Sequence, residues 1–278
     1  VNFAEELDSE TLQLYVPALM LKLSAKLASV RVVQQQAITA IAVVAGVIET
    51  AFVPYYHQVV PVLKHLVLTA TTFEERALRG KAFECLSLLS LAVGREVSGQ
   101  DAREAMQAMM EIASAGLEAD DPQKSYIHEA VQRICRALQE EFLPYLPTIL
   151  PGVYAALRMR ATEVVDADVD EESDMTVAFL DDGQVVGLKT SQIEEFRSAV
   201  HMLSCFLGVL RGHFFDHVRE AARSLLPALS FRFSDDVKSD ALHTWHELIE
   251  AAKDGVERRG LGDDGGLVAE LLRAVLRT

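Results

Sequence analysis

The chain reads as a series of amphipathic segments of helical period, separated by short polar breaks. Five stretches carry apolar residues at i, i+3, i+4 and i+7, at approximately 30–47, 74–93, 123–140, 193–211 and 237–254. Ala82, Leu86, Leu89 and Val93 show the stripe in the second of them. Before these helices lie apolar segments that carry proline. They are Pro17 in VPALMLKL, Pro61 in FVPYYHQVVPVLKHL, Pro151 in FLPYLPTILPGVYAA and Pro227 in LLPALSF. Residues 52–66 and 142–156 align with Phe, Tyr and both prolines in place, at an offset of 90. Pro17 precedes Pro61 by 44 residues, and Pro227 follows Pro151 by 76, one period plus an insertion of roughly thirty residues. A period of about 45 residues with two helices per unit is the size of HEAT or armadillo repeats. Helix ends are expected at Gly46, Gly94, Gly116 and Gly255. Asp235-Asp236-Val237-Lys238 before Ala241 resembles the HEAT turn, in which an acidic residue caps the second helix.

The pattern predicts an all-α fold, an α-α superhelix (HEAT-repeat solenoid) of about five helix pairs. The units fall at approximately 10–47, 52–94, 101–140, 142–211 and 214–255, and 261–278 opens a further repeat. A helix pair can bury its apolar stripe only against neighbouring pairs, so stacking follows from the pattern. The first residues read as mid-protein sequence, and 267–278 reads as a helix with no partner after it. The expectation is a segment of a longer chain.

Aligning the second helices on Ala37, Ala82, Ala130, Ala199 and Ala241 places Ile41, Leu86, Ile134, Leu203 and Trp245 in one column, the core. Trp245 is therefore expected to fill an interior slot and not to act as a recognition aromatic. Two residues after each alanine come Thr39, Glu84, Gln132, His201 and His243, polar throughout. That column points to the surface lined by second helices, which solenoids of this kind use for binding. A solvated face with no ligand would show the same polarity.

The insertion, 160–191, interrupts the fourth unit. Glu163, Asp166, Asp168, Asp170, Glu171, Glu172 and Asp174 form an acidic run without apolar periodicity. It is expected to be a mobile loop that attracts basic ligands, or simply a solvated one. MTVAFL and QVVGLK flank Asp181-Asp182-Gly183 and predict a β-hairpin. Asp166, Asp168 and Asp170 alternate as in a calcium loop, but Glu171 occupies the place where that loop needs glycine.

Composition narrows the function. The formal net charge of −15 repels nucleic acid and anionic membrane and favours basic partners. Cys85, Cys135 and Cys205 lie in apolar helical runs without paired spacing, which reads as buried thiols in a reducing compartment. There is no secretory signal at Val1 and no uninterrupted apolar run of spanning length. His213 and His217, with Asp216 and Glu220, lack a third metal ligand placed by the sequence. His243-Thr-Trp-His246-Glu247 has the wrong order for a zincin. No glycine-rich phosphate loop and no nucleophile elbow occurs. No catalytic residue, metal or cofactor is assigned, and the chain is expected to be a binding protein and not an enzyme.

FVPYYHQVVPVLKHL, LRGKAFECLSLLSLAVGRE (78–96), EADDPQKSYIHEAVQRIC (118–135) and the FLPYLPTILP run resemble the importin beta (karyopherin beta) superfamily. Within it they are similar to the central repeats of the importin beta-three class, and the acidic loop with GLKT (187–190) resembles an insertion at the same place. The resemblance covers most of 40–250. It implies a nuclear transport receptor that binds basic nuclear-localisation-signal cargo, such as ribosomal proteins or histones, and shuttles between cytoplasm and nucleus. Phe-Gly nucleoporins and Ran GTPase are the further implied partners, with the main Ran site outside this segment. Glu84, inside the best-matched motif, is the first candidate for contact with a cargo lysine. The alternative is a HEAT-repeat scaffold or adaptor of another complex, such as a phosphatase or assembly-factor subunit.

Overall fold

The computed structural model describes residues 4, 6–118, 121–159, 162–163, 175–179, 185–261 and 266–277. They form two compact units, Val1–Gln139 and Glu140–Thr278. In the first unit the helices are α1 (Ser9–Gln13), α2 (Val16–Lys26), α3 (Arg31–Ile48), α4 (Val53–Thr69), α5 (Arg76–Val93), α6 (Arg95–Ser114) and α7 (Lys124–Leu138). They pair as α2 with α3, α4 with α5, and α6 with α7. The second members α3, α5 and α7 pack side by side, as do α4 and α6. The second unit runs α8 (Leu146–Leu157), β1 (Thr162–Glu163), β2 (Met175–Phe179), β3 (Val185–Lys189), α9 (Thr190–Leu210), α10 (Val218–Leu225), α11 (Asp235–Arg258) and α12 (Leu267–Leu276). Here α9 packs on α8 and α11, and α12 packs on α11.

Each second helix buries the stripe that its period predicts. Ala37, Ile38, Ile41, Val44, Ala45 and Ile48 of α3 are all buried, as are Ala82, Leu86 and Leu89 of α5. Trp245 is buried in the interior of α11. The segment Arg31–Thr69 is apolar enough on composition to cross a membrane. It is, however, two helices joined by a turn, and Ile41, Phe52, Tyr56 and Leu63 from it are core residues.

The turn out of a second helix has a common construction. Glu49, Gln139 and Arg211 adopt positive φ of 49°, 52° and 49°. Each opens a 3-10 turn, Glu49–Phe52, Gln139–Tyr145 and Arg211–His217. Three residues on, Phe52, Phe142 and Phe214 are fully buried and anchor the turn. A buried aromatic of this kind stabilises by about 1.5–3 kcal/mol, which offsets a backbone conformation that costs a non-glycine residue roughly 1–3 kcal/mol. Gly94, midway between Glu49 and Gln139 in sequence, also has positive φ, 78°, but leads directly into α6 without a 3-10 turn.

Several expectations need correction. Gly46 does not end its helix: α3 continues to Ile48 and stops where Glu49 turns. Gly255 does not break α11, which runs to Arg258. It faces the Phe215 ring, which a Cβ at 255 would overlap. The cap of α11 is Ser234, whose hydroxyl accepts from the Val237 amide at 3.4 Å. Asp235 and Asp236 lie in the first turn instead, where they favour the positive helix end. Gly94 and Gly116 do stand just past helix ends. Of the prolines, Pro17 opens α2, Pro61 and Pro151 lie inside α4 and α8, and Pro227 sits in the 3-10 turn Leu226–Ser230.

The insertion holds more sheet than its sequence predicts. β2 and β3 pair antiparallel as the hairpin pattern requires, with Val177 opposite Gly187. The short β1 adds on the other side of β3, giving the order β1-β3-β2. Asp166, Asp168, Asp170, Glu171, Glu172 and Asp174 lie outside the described residues, as do Asp181-Asp182-Gly183.

Candidate functional site

In the first unit the polar column lies on three neighbouring helices, with Thr39 on α3, Glu84 on α5 and Gln132 on α7. All three are half-buried. The Thr39 hydroxyl donates to the Gln35 carbonyl of its own helix at 3.2 Å, and the Gln132 amide donates to the His128 carbonyl at 3.3 Å. Both therefore satisfy part of their hydrogen-bonding capacity locally. Glu84 has a charged partner one turn away, Lys81, with Nζ 3.4 Å from Oε2. Lys81 also stands over the Tyr126 ring at 5.1 Å. A carboxylate with a long, part-exposed contact to a flexible ammonium is weakly held.

Close packing makes this face a rigid support. Tyr126 rests against Gly80 on α5, where a Cβ would stand 2.5 Å from the ring. Phe83 and Cys85 flank Glu84 on the buried side, and burial pushes the Cys85 thiol far above its ordinary range.

In the second unit His201 on α9 and His243 on α11 are both exposed. His201 is not alone: its Nε2 lies 2.7 Å from Asp240 Oδ2. Arg197 donates to the same carboxylate oxygen at 3.1 Å and approaches Asp236 at 4.0 Å. Burial works against the Asp240 charge, but the hydrogen bonds from His201 and Arg197 outweigh it and hold the carboxyl below its usual range. Arg197 and Asp240 are missing from the column read off the sequence. They are 43 residues apart, close to one repeat, and that spacing was the available signal.

A second polar knot joins the start of α5 to the start of α7. Arg76 NH1 donates to Asp121 Oδ2 at 2.8 Å, and Arg79 Nε donates to Gln123 Oε1 at 2.7 Å. The Asp121 carboxylate is almost wholly buried and also accepts from the Gln123 backbone amide at 3.0 Å. Asp101, in the second turn of α6, accepts from Tyr56 Oη and from Lys64 Nζ, each at 2.9 Å. These contacts span about one repeat in sequence and tie successive helix pairs together. His213 pairs with Glu140 at 2.8 Å, and His217 packs against the Phe214 ring. Among the described residues no group of three metal-ligating side chains converges.

A family model described as importin subunit beta-1-like, TPR repeats, matches residues 13–244. Importin subunit beta-3 of Saccharomyces cerevisiae is 30% identical over 247 residues, 86% of this chain and 22% of the relative. A probable importin-5 homolog of Dictyostelium discoideum is 27% identical over 83% of this chain and 20% of its own length. The chain thus spans about a fifth of the curated relatives it matches. Kap121p bound to Nup53p superposes with a TM-score of 0.82 at 24% identity, over 99% of this chain and 25% of that one. Crystal structures of Kap121p with Pho4p and with Ste12p match at TM-scores of 0.80. These likenesses establish the HEAT-repeat solenoid as the fold class, as the 45-residue period predicts. With most of its length under the family model and its helix pairs in the family's fold, the chain belongs to the importin beta (karyopherin beta) superfamily.

Proposed function

We propose that this chain is a cargo-binding segment of a nuclear import receptor and works by binding alone, without catalysis. The observation that carries the reading is the row on α3, α5 and α7, where Glu84 is held half-buried between Thr39 and Gln132 with only a weak internal cation. A lysine of an extended cargo segment replaces Lys81 at Glu84, and the net charge of −15 draws such a segment in. His201 and His243 belong to the corresponding row of the second unit, where Arg197 and Asp240 set the local charge. The acidic run Asp166–Asp174 speeds association.

The family and its relatives support this reading. Kap121p, a solved neighbour, is a karyopherin crystallised with Nup53p and with other proteins. On this reading the partners of the parent receptor are basic cargo such as ribosomal proteins or histones, and Phe-Gly nucleoporins. Ran GTPase acts mainly outside this segment, and the receptor shuttles between cytoplasm and nucleus.

Titration calorimetry with a lysine-rich signal peptide at two salt concentrations tests the site. A partly screened ion pair is worth about 0.2–1 kcal/mol, so Glu84→Ala weakens binding roughly 1.5- to 5-fold and flattens its salt dependence. Lys81→Met, which frees Glu84, tightens binding by a similar factor. Unchanged affinity and salt slope in both variants would remove Glu84 from the site.

A further inference from the structure

We propose that Thr71 is a phosphorylation site and that Arg76 and Arg79 are the built-in receptor for its phosphate. Thr71 lies in the connection between α4 and α5 and is exposed. It lines an open cavity of about 360 Å³ together with Arg76 and Arg79. The apolar wall, including Val67, Leu68 and Ile112, comes from α4 and α6.

The receptor is incompletely used in the unmodified chain. Arg76 spends one amino group on Asp121, but its Nε is buried without an acceptor among the described residues. Arg79 spends Nε on a neutral amide, Gln123. Burial and the neighbouring Arg76 both disfavour the Arg79 charge, only partly offset by Asp121. A buried donor without an acceptor is costly, and two like charges at one cavity add to that cost. A phosphoryl group answers both, because its oxygens accept several guanidinium hydrogen bonds and it adds about −1.5 to −2 charge.

The two described carboxylates that line the cavity are already engaged. Asp121 holds Arg76 and Gln123, and Glu111, on the same cavity, accepts from Gln107 at 2.9 Å. Thr72 is the wrong hydroxyl, since it donates to Glu75 at 2.8 Å and a phosphate there would face that carboxylate. Glu74 and Glu75 stand three and four residues beyond Thr71, a context suited to kinases that select acidic residues downstream. In the transfer the Thr71 hydroxyl oxygen bonds to the γ-phosphorus of ATP. The bond to the ADP oxygen breaks, ADP leaves, and the hydroxyl proton passes to the kinase base.

The test uses the whole chain in two arms. With ATP and an acidophilic protein kinase, the wild type and Thr72→Val gain one phosphate, located at residue 71 by peptide mass spectrometry, and Thr71→Val gains none in this segment. Phosphate placed on residue 72, or no transfer at all, overturns the site. In the second arm phosphothreonine is installed at position 71 by genetic encoding and titrated by ³¹P NMR. Its second pKa, ordinarily about 6, falls by about one unit relative to a 68–76 phosphopeptide. Arg79→Gln returns at least half of that shift. A phosphate titrating as in the free peptide, with or without Arg79, overturns the receptor.

Discussion

Replacing Gly212 by alanine probes the tightest backbone approach in the second unit. Gly212 lies in the turn Arg211–His217, which packs along α11. A Cβ there would stand 2.8 Å from the Asp254 carbonyl carbon, 2.9 Å from its oxygen and 2.9 Å from Arg258 Cδ. Two of these atoms are backbone of a helix, so the obstacle cannot rotate away as a side-chain tip would. Either the turn or α11 must shift. The turn cannot move freely, because its own Phe214, two residues after Gly212, is fully buried and Arg211 is held by ion pairs to Glu247 and Asp254. Overpacking of this kind costs about 1–3 kcal/mol. For a unit of roughly 140 residues that lowers the unfolding midpoint by roughly 3–10 °C. Gly152 in α8 is the control, since no described residue lies within 4 Å of its would-be Cβ and it sits inside a helix. Gly152→Ala should stabilise by about 0.5–1 kcal/mol through the lower backbone entropy of its unfolded state. Urea and thermal unfolding followed by circular dichroism measure both variants, and amide exchange shows whether the loss falls in the second unit. If Gly212→Ala unfolds at or above the wild-type midpoint, the close approach is not what fixes this glycine.

Three further outcomes are expected. Glu49→Gly relieves a positive φ of 49° at an exposed position and should raise the first unit's stability by about 1 kcal/mol, measured by urea unfolding. Tyr154→Phe removes a buried hydroxyl that has no hydrogen-bond partner among the described residues, and should be neutral or stabilising by up to about 1 kcal/mol in the same assay; a clear loss would mean that the hydroxyl is satisfied in solution. Burial holds the His217 imidazole below its ordinary value of 6.5, with Asp216 opposing weakly. The native state therefore prefers the neutral ring. Its contribution is complete above pH 6.5 and declines as pH falls from there towards the lower native value. His217→Gln should flatten that decline in thermal midpoints measured between about pH 7 and 5.

The period of apolar residues determines a good deal of this protein by itself. Helix stripes at a repeat of about 45 residues need neighbouring pairs to bury them, so helix type, pairing and the buried column Ile41, Leu86, Ile134, Leu203 and Trp245 are legible before any coordinate. The motifs in 52–156 likewise carry the family. The hairpin in the insertion is legible because alternation around Asp-Gly has few other solutions.

Packing decides what lies beyond that local pattern. Gly46 and Gly255 read as stops, yet a helical glycine is tolerated wherever neighbours hold the helix, and at 255 the absent side chain makes room for Phe215. The exits at Glu49, Gln139 and Arg211 use residues that local preference would not choose, because a phenylalanine three positions on is driven into the core. The polar column names a set of positions and is silent about their partners. Lys81 beside Glu84, and Asp240 between His201 and Arg197, come from side-chain reach within and between helices. The knot of Arg76, Arg79, Asp121 and Gln123 is the extreme case: its members are ordinary charged and amide residues some 45 positions apart, and only the stacking of α5 on α7 brings them to one cavity.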